Sequence, residues 1–329
     1  MRASPAFWRG GCSNPGMVGK KIRFDYVYEY EIETVKEGGM GRVLILNRIS
    51  SPHRDPFLQE MIKHQPSIAD KYSIVYREKL AAKTFKDNDL VEKNKALFER
   101  ELRIWLNIDS VNVAKLLKVT FVGENLFALM PFYNSNLRKI ITEERGCIEV
   151  DNAKLIIINI IRGLYEVFKK FKLVHQDLKP ENILVDIRKD KTSFFVSDWG
   201  IANLQRKICP ISLSRNSLHD YVDTMTGMGT LPYMSPERFV DYSTHVTVDI
   251  FSIGMIFFEL LFGHLPYASG SATTILSQIV GQDYFHTAEY LLKKNFDKKI
   301  TSVILRCIHP DMSKRYSNYR ELVVDIYNC

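Results

Sequence analysis

Cysteine is sparse in this chain of 329 residues: Cys12, Cys147, Cys209, Cys307 and Cys329 are scattered and odd in number. No pair has metal-ligand spacing, which argues against a zinc ribbon or a disulfide framework and for reduced thiols. Long apolar runs are missing too. The longest, 250–262, is interrupted by Glu259 and is too short to span a bilayer. No signal-peptide h-region opens the chain, and no internal repeat or low-complexity tract is present. These absences together read as a cytoplasmic protein without a membrane span. Neither sign of charge dominates: 45 Lys and Arg against 38 Asp and Glu leave +7, with no long basic run. No nucleic-acid partner is therefore expected, whereas a polyphosphate or an acidic partner suits the modest bias. What is present is ample core material, 46% apolar residues, enough for one large domain or two lobes.

The chemistry gathers at 174–184, V-H-Q-D-L-K-P-E-N-I-L. A helical stripe, Ile157, Ile160, Ile161, Leu164, Val167, Phe168 and Phe171, delivers the chain to this loop. Within it Asp177 can accept a proton, Lys179 can neutralise phosphate oxygens, and Asn182 offers a carbonyl oxygen to a hard cation. His175 completes the set. Farther on, F-F-V-S-D-W-G sets Asp198 between a β-rich run and a glycine.

Upstream, K-E-G-G-M-G-R-V-L-I-L places Gly38, Gly39 and Gly41 between two apolar strands. That pattern suits a tight hairpin whose amides approach phosphate. The next strand carries L-A-A-K, ending on Lys83. Over 91–108, Phe98, Glu101, Leu102 and Trp105 fall at i, i+3, i+4 and i+7 of a helix. Glu101 thus sits in an apolar stripe, where an unpaired carboxylate is costly. The segment 248–262 is apolar on nearly every face, as in a buried central helix, with Asp249 at the positive end of its dipole.

In this order the motifs resemble those of the eukaryotic-type (Hanks-type) Ser/Thr protein kinases, over about 26–327. E-G-G-M-G is a form common in bacterial members, which implies a bacterial or phage source. The resemblance implies an α+β bilobal fold: a small, mainly β lobe with one key helix, and a larger helical lobe, with ATP and Mg²⁺ or Mn²⁺ between them. Residues 1–24 read as a flexible extension, 25–133 as the small lobe with an insertion at about 47–71, and 134–329 as the large lobe. No receptor or sensor domain is expected.

Roles follow by the same resemblance. Asp177 orients and deprotonates the acceptor hydroxyl, while Lys179 and Lys83 neutralise phosphate charge. Glu101 pairs with Lys83. Val35, Gly38, Gly39, Gly41, Val43, Ala81 and Leu184 surround the nucleotide. Met130 is the gatekeeper, and Pro131, Phe132 and Tyr133 line the adenine pocket. Asn182 and Asp198 bind the metal. His175, Trp199, Thr230, Glu237, Asp249 and Arg315 are structural: Trp199 stacks beneath Trp105, Thr230 shapes the hydroxyl's site near Asp177, Asp249 anchors the catalytic-loop backbone, and Arg315 pairs with Glu237. The polar stretch 201–229 resembles an activation segment closing on G-T-L-P-Y-M-S-P-E, with Thr224 and Thr226 at places often phosphorylated.

Two departures stand out. Lys36 replaces the first glycine of the phosphate loop, and Gln176 replaces the arginine of H-R-D. Without that arginine the usual need for activation-loop phosphorylation is weakened. The implied function is transfer of the γ-phosphoryl group of ATP to Ser or Thr of proteins, with autophosphorylation, a homodimer allowing it in trans. K-P-E-N resembles the Ser/Thr-specific form of the loop. A pseudokinase scaffold is the first alternative, but every charged catalytic group is retained. A small-molecule phosphotransferase is the second, and the peptide-docking segment and Arg315 argue against it.

Overall fold

A computed structural model describes residues 17–24, 28–37, 41–49, 79–85, 102–123, 125–143, 148–189, 191–199, 231–239, 245–267 and 271–329. The chain divides into two compact units, 1–107 with 115–132, and 108–114 with 133–329.

The first unit is built on an antiparallel sheet of strands β1 (Lys21–Phe24), β2 (Tyr28–Glu37), β3 (Gly41–Arg48), β4 (Lys79–Phe85), β5 (Lys118–Val122) and β6 (Asn125–Pro131), in the order β1-β2-β3-β4-β6-β5. Alternation along the strands sends Ile22, Phe24, Tyr30, Ile32, Leu44, Leu46, Leu80, Ala82, Phe127 and Leu129 to one buried face. Phe24 meets the edge of Phe127 at a centroid distance of 5.5 Å. Residues 21–24, expected in a flexible extension, are instead strand β1. Ile22 and Phe24 alternate with exposed Lys21 and Arg23, so they have a core face to bury. Asn47 and Arg48, expected to open the insertion, finish β3 by pairing with Lys79 and Tyr30. The rest of the insertion, 50–71, lies outside the described residues.

The second unit combines a small sheet, β7 (Ser135–Asn136), β8 (Ile183–Arg188) and β9 (Lys191–Val196), with helices α1 (Leu137–Glu143), α2 (Val150–Phe171), α3 (Thr247–Phe262), α4 (Ala272–Val280), α5 (Asp283–Asn295), α6 (Lys298–Cys307) and α7 (Tyr319–Tyr327). The stripe of α2 buries Ile156, Ile157, Ile160, Ile161, Leu164 and Val167. This helix ends at Lys172, left-handed at φ 54°, whose N–H caps the Phe168 carbonyl. Every residue of α3 from Thr247 to Leu261 is buried, as an all-round apolar helix requires. Gly254 lets α6 approach: a Cβ there would lie 2.5 Å from the Cys307 Cβ.

Residues 108–114 were expected in the small lobe but belong to the second unit. The Val196 N–H donates to the Asn112 carbonyl and the Ala114 N–H to the Val196 carbonyl, both at 2.9 Å. The Asn112 side chain donates to Asn159 Oδ1 at 2.9 Å and to the Phe194 carbonyl at 3.1 Å. Gly163 on α2 makes room, since a Cβ there would sit 2.5 Å from the Asn112 carbonyl oxygen.

Candidate active site

In the first unit, strand register decides which candidates share a surface. Val43 pairs with Lys83, Lys83 with Ala128, and Ala81 with Met130, so Val43, Ala81, Lys83 and Met130 occupy one face of the sheet. Lys83 is only 9% exposed. Val35 lies on the other face, opposite Leu44 and against the core, not with Val43. The cause is a register shift between Ile32 and Thr34, one extra residue that reverses side-chain alternation along β2. Pro131 ends β6, and the Lys79 ammonium lies 4.7 Å above the Phe132 ring. Trp105 is fully buried in this unit. Gly41 opens β3, whereas Gly38, Gly39 and Glu101 lie outside the described residues, as do Thr224, Thr226 and Thr230.

In the second unit the loop 174–182 is held from several directions. Asp249, fully buried at the start of α3, accepts the His175 N–H at 2.8 Å and the Gln176 N–H at 2.7 Å. It also accepts the Tyr319 hydroxyl at 2.9 Å. Burial, then the Asp249 charge, pushes the Tyr319 phenol well up, so it stays a donor. Gln176 is buried at φ 68°, and Arg238 donates to its carbonyl. A non-glycine residue at that φ is strained and persists because its surroundings over-determine it. His175 Nδ1 accepts the Asp177 N–H at 3.3 Å, which assigns the ring proton to Nε2, 2.7 Å from the Ser197 carbonyl. Trp199, fully buried, meets the edge of this ring at 4.8 Å.

Asn182 joins the loop to the Asp198 segment. Its Nδ2 donates to the Asp177 carbonyl at 2.8 Å and to Asp177 Oδ2 at 3.0 Å. Its carbonyl accepts both the N–H and the hydroxyl of Ser197 at 2.9 Å. The Trp199 indole N–H donates to Val196 at 3.1 Å, so Asp198 is tethered on both sides and adopts φ 64°. The Lys179 ammonium, nearly buried, lies 3.6 Å from Asp177 Oδ2. Leu184 is half-buried on β8, and Tyr133 tilts against Phe195 at 4.9 Å. With both Nδ2 bonds on Asp177, Asn182 Oδ1 accepts no hydrogen bond among the described residues. That carbonyl and the Asp198 carboxylate form a hard-oxygen donor set that fits Mg²⁺, which keeps much of its water shell.

Arg315 grips Glu237 with both terminal nitrogens, at 2.7 and 2.9 Å. A second charged cluster gave no such motif. Arg138 on α1 donates to Glu181 at 2.7 Å, to Glu259 at 2.6 Å and to the Tyr233 hydroxyl. Burial disfavours the Arg138 charge, yet Tyr233, Glu259 and Glu181 hold its pKa above the ordinary value. This cluster ties the Pro180–Asn182 turn to α3 and to the Leu231–Tyr233 turn. Its sequence signal was Glu259, a lone carboxylate in an apolar helix.

Comparison with known proteins places these features in a family. The description "Protein kinase domain" matches residues 68–327. A probable serine/threonine-protein kinase of Clostridium perfringens is 24% identical over 248 residues, covering 75% of this chain and 33% of that protein. The probable serine/threonine-protein kinase PknB of Lactococcus lactis is 26% identical over 253 residues, covering 75% and 36%. The serine/threonine-protein kinase PknD of Protochlamydia amoebophila is 23% identical over 279 residues, covering 78% and 28%. The chain thus spans about a third of the length of these curated relatives. Among the described residues no helix is long and apolar enough to cross a membrane.

Proposed function

The chain belongs to the protein kinase family, and from that premise we propose that it transfers the γ-phosphoryl group of ATP to serine or threonine hydroxyls of proteins. The observation that carries this reading is the Asp177–Asn182–Ser197 tether, which fixes a half-buried carboxylate beside the Lys179 ammonium and leaves the Asn182 amide oxygen without a donor among the described residues. Asp177 takes the acceptor hydroxyl's proton as its oxygen bonds to the γ-phosphorus. The bond from that phosphorus to the β-phosphate oxygen breaks, and ADP leaves. Lys179 offsets charge on the phosphoryl oxygens, and Lys83, on the sheet face with Val43, Ala81 and Met130, does so for the α and β phosphates. Asn182 Oδ1 and Asp198 would hold Mg²⁺, which when bound neutralises phosphate charge. Gln176 supports activity without an activation-loop phosphate, because Asp249 and Arg238 already fix the loop backbone where the family uses an arginine.

The test is mass spectrometry after incubating the purified chain with ATP, Mg²⁺ and a generic protein substrate, beside Asp177→Asn. Phosphoserine or phosphothreonine in the wild type alone is the expected result. ATP binding with no transfer to itself or to any substrate would overturn the proposal.

A further inference from the structure

The second unit carries a groove that the active site does not use. It is a cavity of about 720 Å³ between α5, α6 and the turn preceding Arg315. Phe285, Phe296 and Leu305, all half-buried, supply apolar surface, and exposed Lys293, Lys298 and Lys314 supply cationic side chains. No carboxylate lines it. Its charges are also unequally satisfied. Lys293 is neutralised by Glu289 at 2.6 Å, and Arg306 by Glu321 and by Asp325, the latter at 3.6 Å. Lys298 and Lys314 make no ion pair among the described residues. The two nearest acids in sequence are held by neutral donors, Asp297 by the Lys299 and Ile300 amides and Asp311 by Ser313, and Lys314 acts on Asp311 only through space. His309, whose Nδ1 accepts the Asp311 N–H at 3.0 Å, keeps its Nε2 proton as a donor and sets its ring against Phe285 at 5.1 Å.

We propose that this groove docks an acidic peptide segment of a protein partner, one with an aromatic or large aliphatic residue among its carboxylates. The apolar side chain lies on Phe285, Phe296 and Leu305, and flanking carboxylates meet Lys298 and Lys314. The cavity falls in the size range of sites that accept a few side chains. Two unpaired lysines around an apolar floor are poor for nucleic acid, which needs a basic track along many phosphates. They suit short acidic segments, where charge steers the encounter and burial of the apolar anchor supplies affinity.

The experiment is fluorescence anisotropy with the full chain and a labelled peptide of alternating glutamate and aspartate carrying one phenylalanine and one leucine. Companion probes replace the two apolar residues by serine, replace the acids by lysine, or are a single-stranded oligonucleotide. Binding of the first peptide is expected, weakened about tenfold or more by Lys298→Glu with Lys314→Glu and by added salt. Lys298→Arg with Lys314→Arg should retain it, and because all these changes are at exposed positions the melting temperature should stay put. The proposal is overturned by no binding up to about 1 mM, by binding that ignores the double charge reversal, or by equal binding of the serine peptide or the oligonucleotide. The readout is binding, so it stands or falls independently of phosphotransfer.

Discussion

Two arginines of the second unit hold carboxylates in opposite ways. The Arg315 side chain is fully buried and saturated: it grips Glu237 bidentately and donates to the carbonyls of His309, Pro310 and Thr247, with its guanidinium carbon 4.9 Å from the Phe251 ring centre. The Arg138 side chain is 31% exposed and is shared among Glu181, Glu259 and Tyr233. Burial, then Glu259, pushes the Tyr233 phenol well up, so it remains protonated and donates to Glu259. Two carboxylates therefore face one cation, and the buried Glu181 Oε2 has no hydrogen-bond partner among the described residues. A saturated clasp has no donor left for another partner. A cluster with surplus negative charge and an unused acceptor keeps the loop in place while remaining sensitive to whatever cation approaches.

The largest effect is expected at the clasp. Arg315→Met strands the Glu237 carboxylate and should cost about 3–5 kcal/mol of unfolding free energy, read by urea denaturation. Adding Glu237→Leu should recover part of it. Arg138→Met leaves Glu259, 6% exposed, without its cation, but solvent screens the rest, so roughly 2 kcal/mol is expected. Adding Glu259→Gln should restore most of that. Equal losses at the two sites would erase the distinction between clasp and open cluster.

A third arginine sharpens the contrast. Arg238 donates to one backbone carbonyl, that of the strained Gln176. Arg238→Met should leave the melting temperature within a few degrees while lowering kcat about tenfold with KM little changed. Arg238→Lys should rescue part of the rate. A proportional fall in stability and rate would make Arg238 a packing residue instead.

How much of this was legible in the sequence depended on whether each cause was local. Asp177, Asp249 and Arg315 sit in spaced motifs, and the stripes of α2 and α3 follow from helical periodicity. The helix-like interruption at Glu259 was visible, yet its partner Arg138 lies 121 residues away with no motif around it. The placement of 108–114 depends on Asn112 bonding to β9, which no local pattern announces. Strand β1 was hidden because glycine, proline and basic residues dominate its neighbourhood, although Ile22 and Phe24 do alternate. The position of Val35 turned on a single extra residue in β2, and periodicity alone cannot show a bulge.

The smallest effect concerns pH, and it tests whether the clasp reaches its own margin. His309 gives its carbonyl to Arg315, and its ring is affected by burial and by Lys314 and Arg315, which lower its pKa, and by Asp311, which raises it. The net direction is down, so the folded state resists protonating a ring that the unfolded chain protonates near about pH 6.5. Stability contributed by the neutral ring is present above that pH and is lost as pH falls through it toward the lower folded value. His309→Gln should therefore flatten the acid limb of a melting-temperature profile slightly. If His309→Gln has the same slope as the wild type, the ring titrates alike folded and unfolded, and the clasp's field stops short of it.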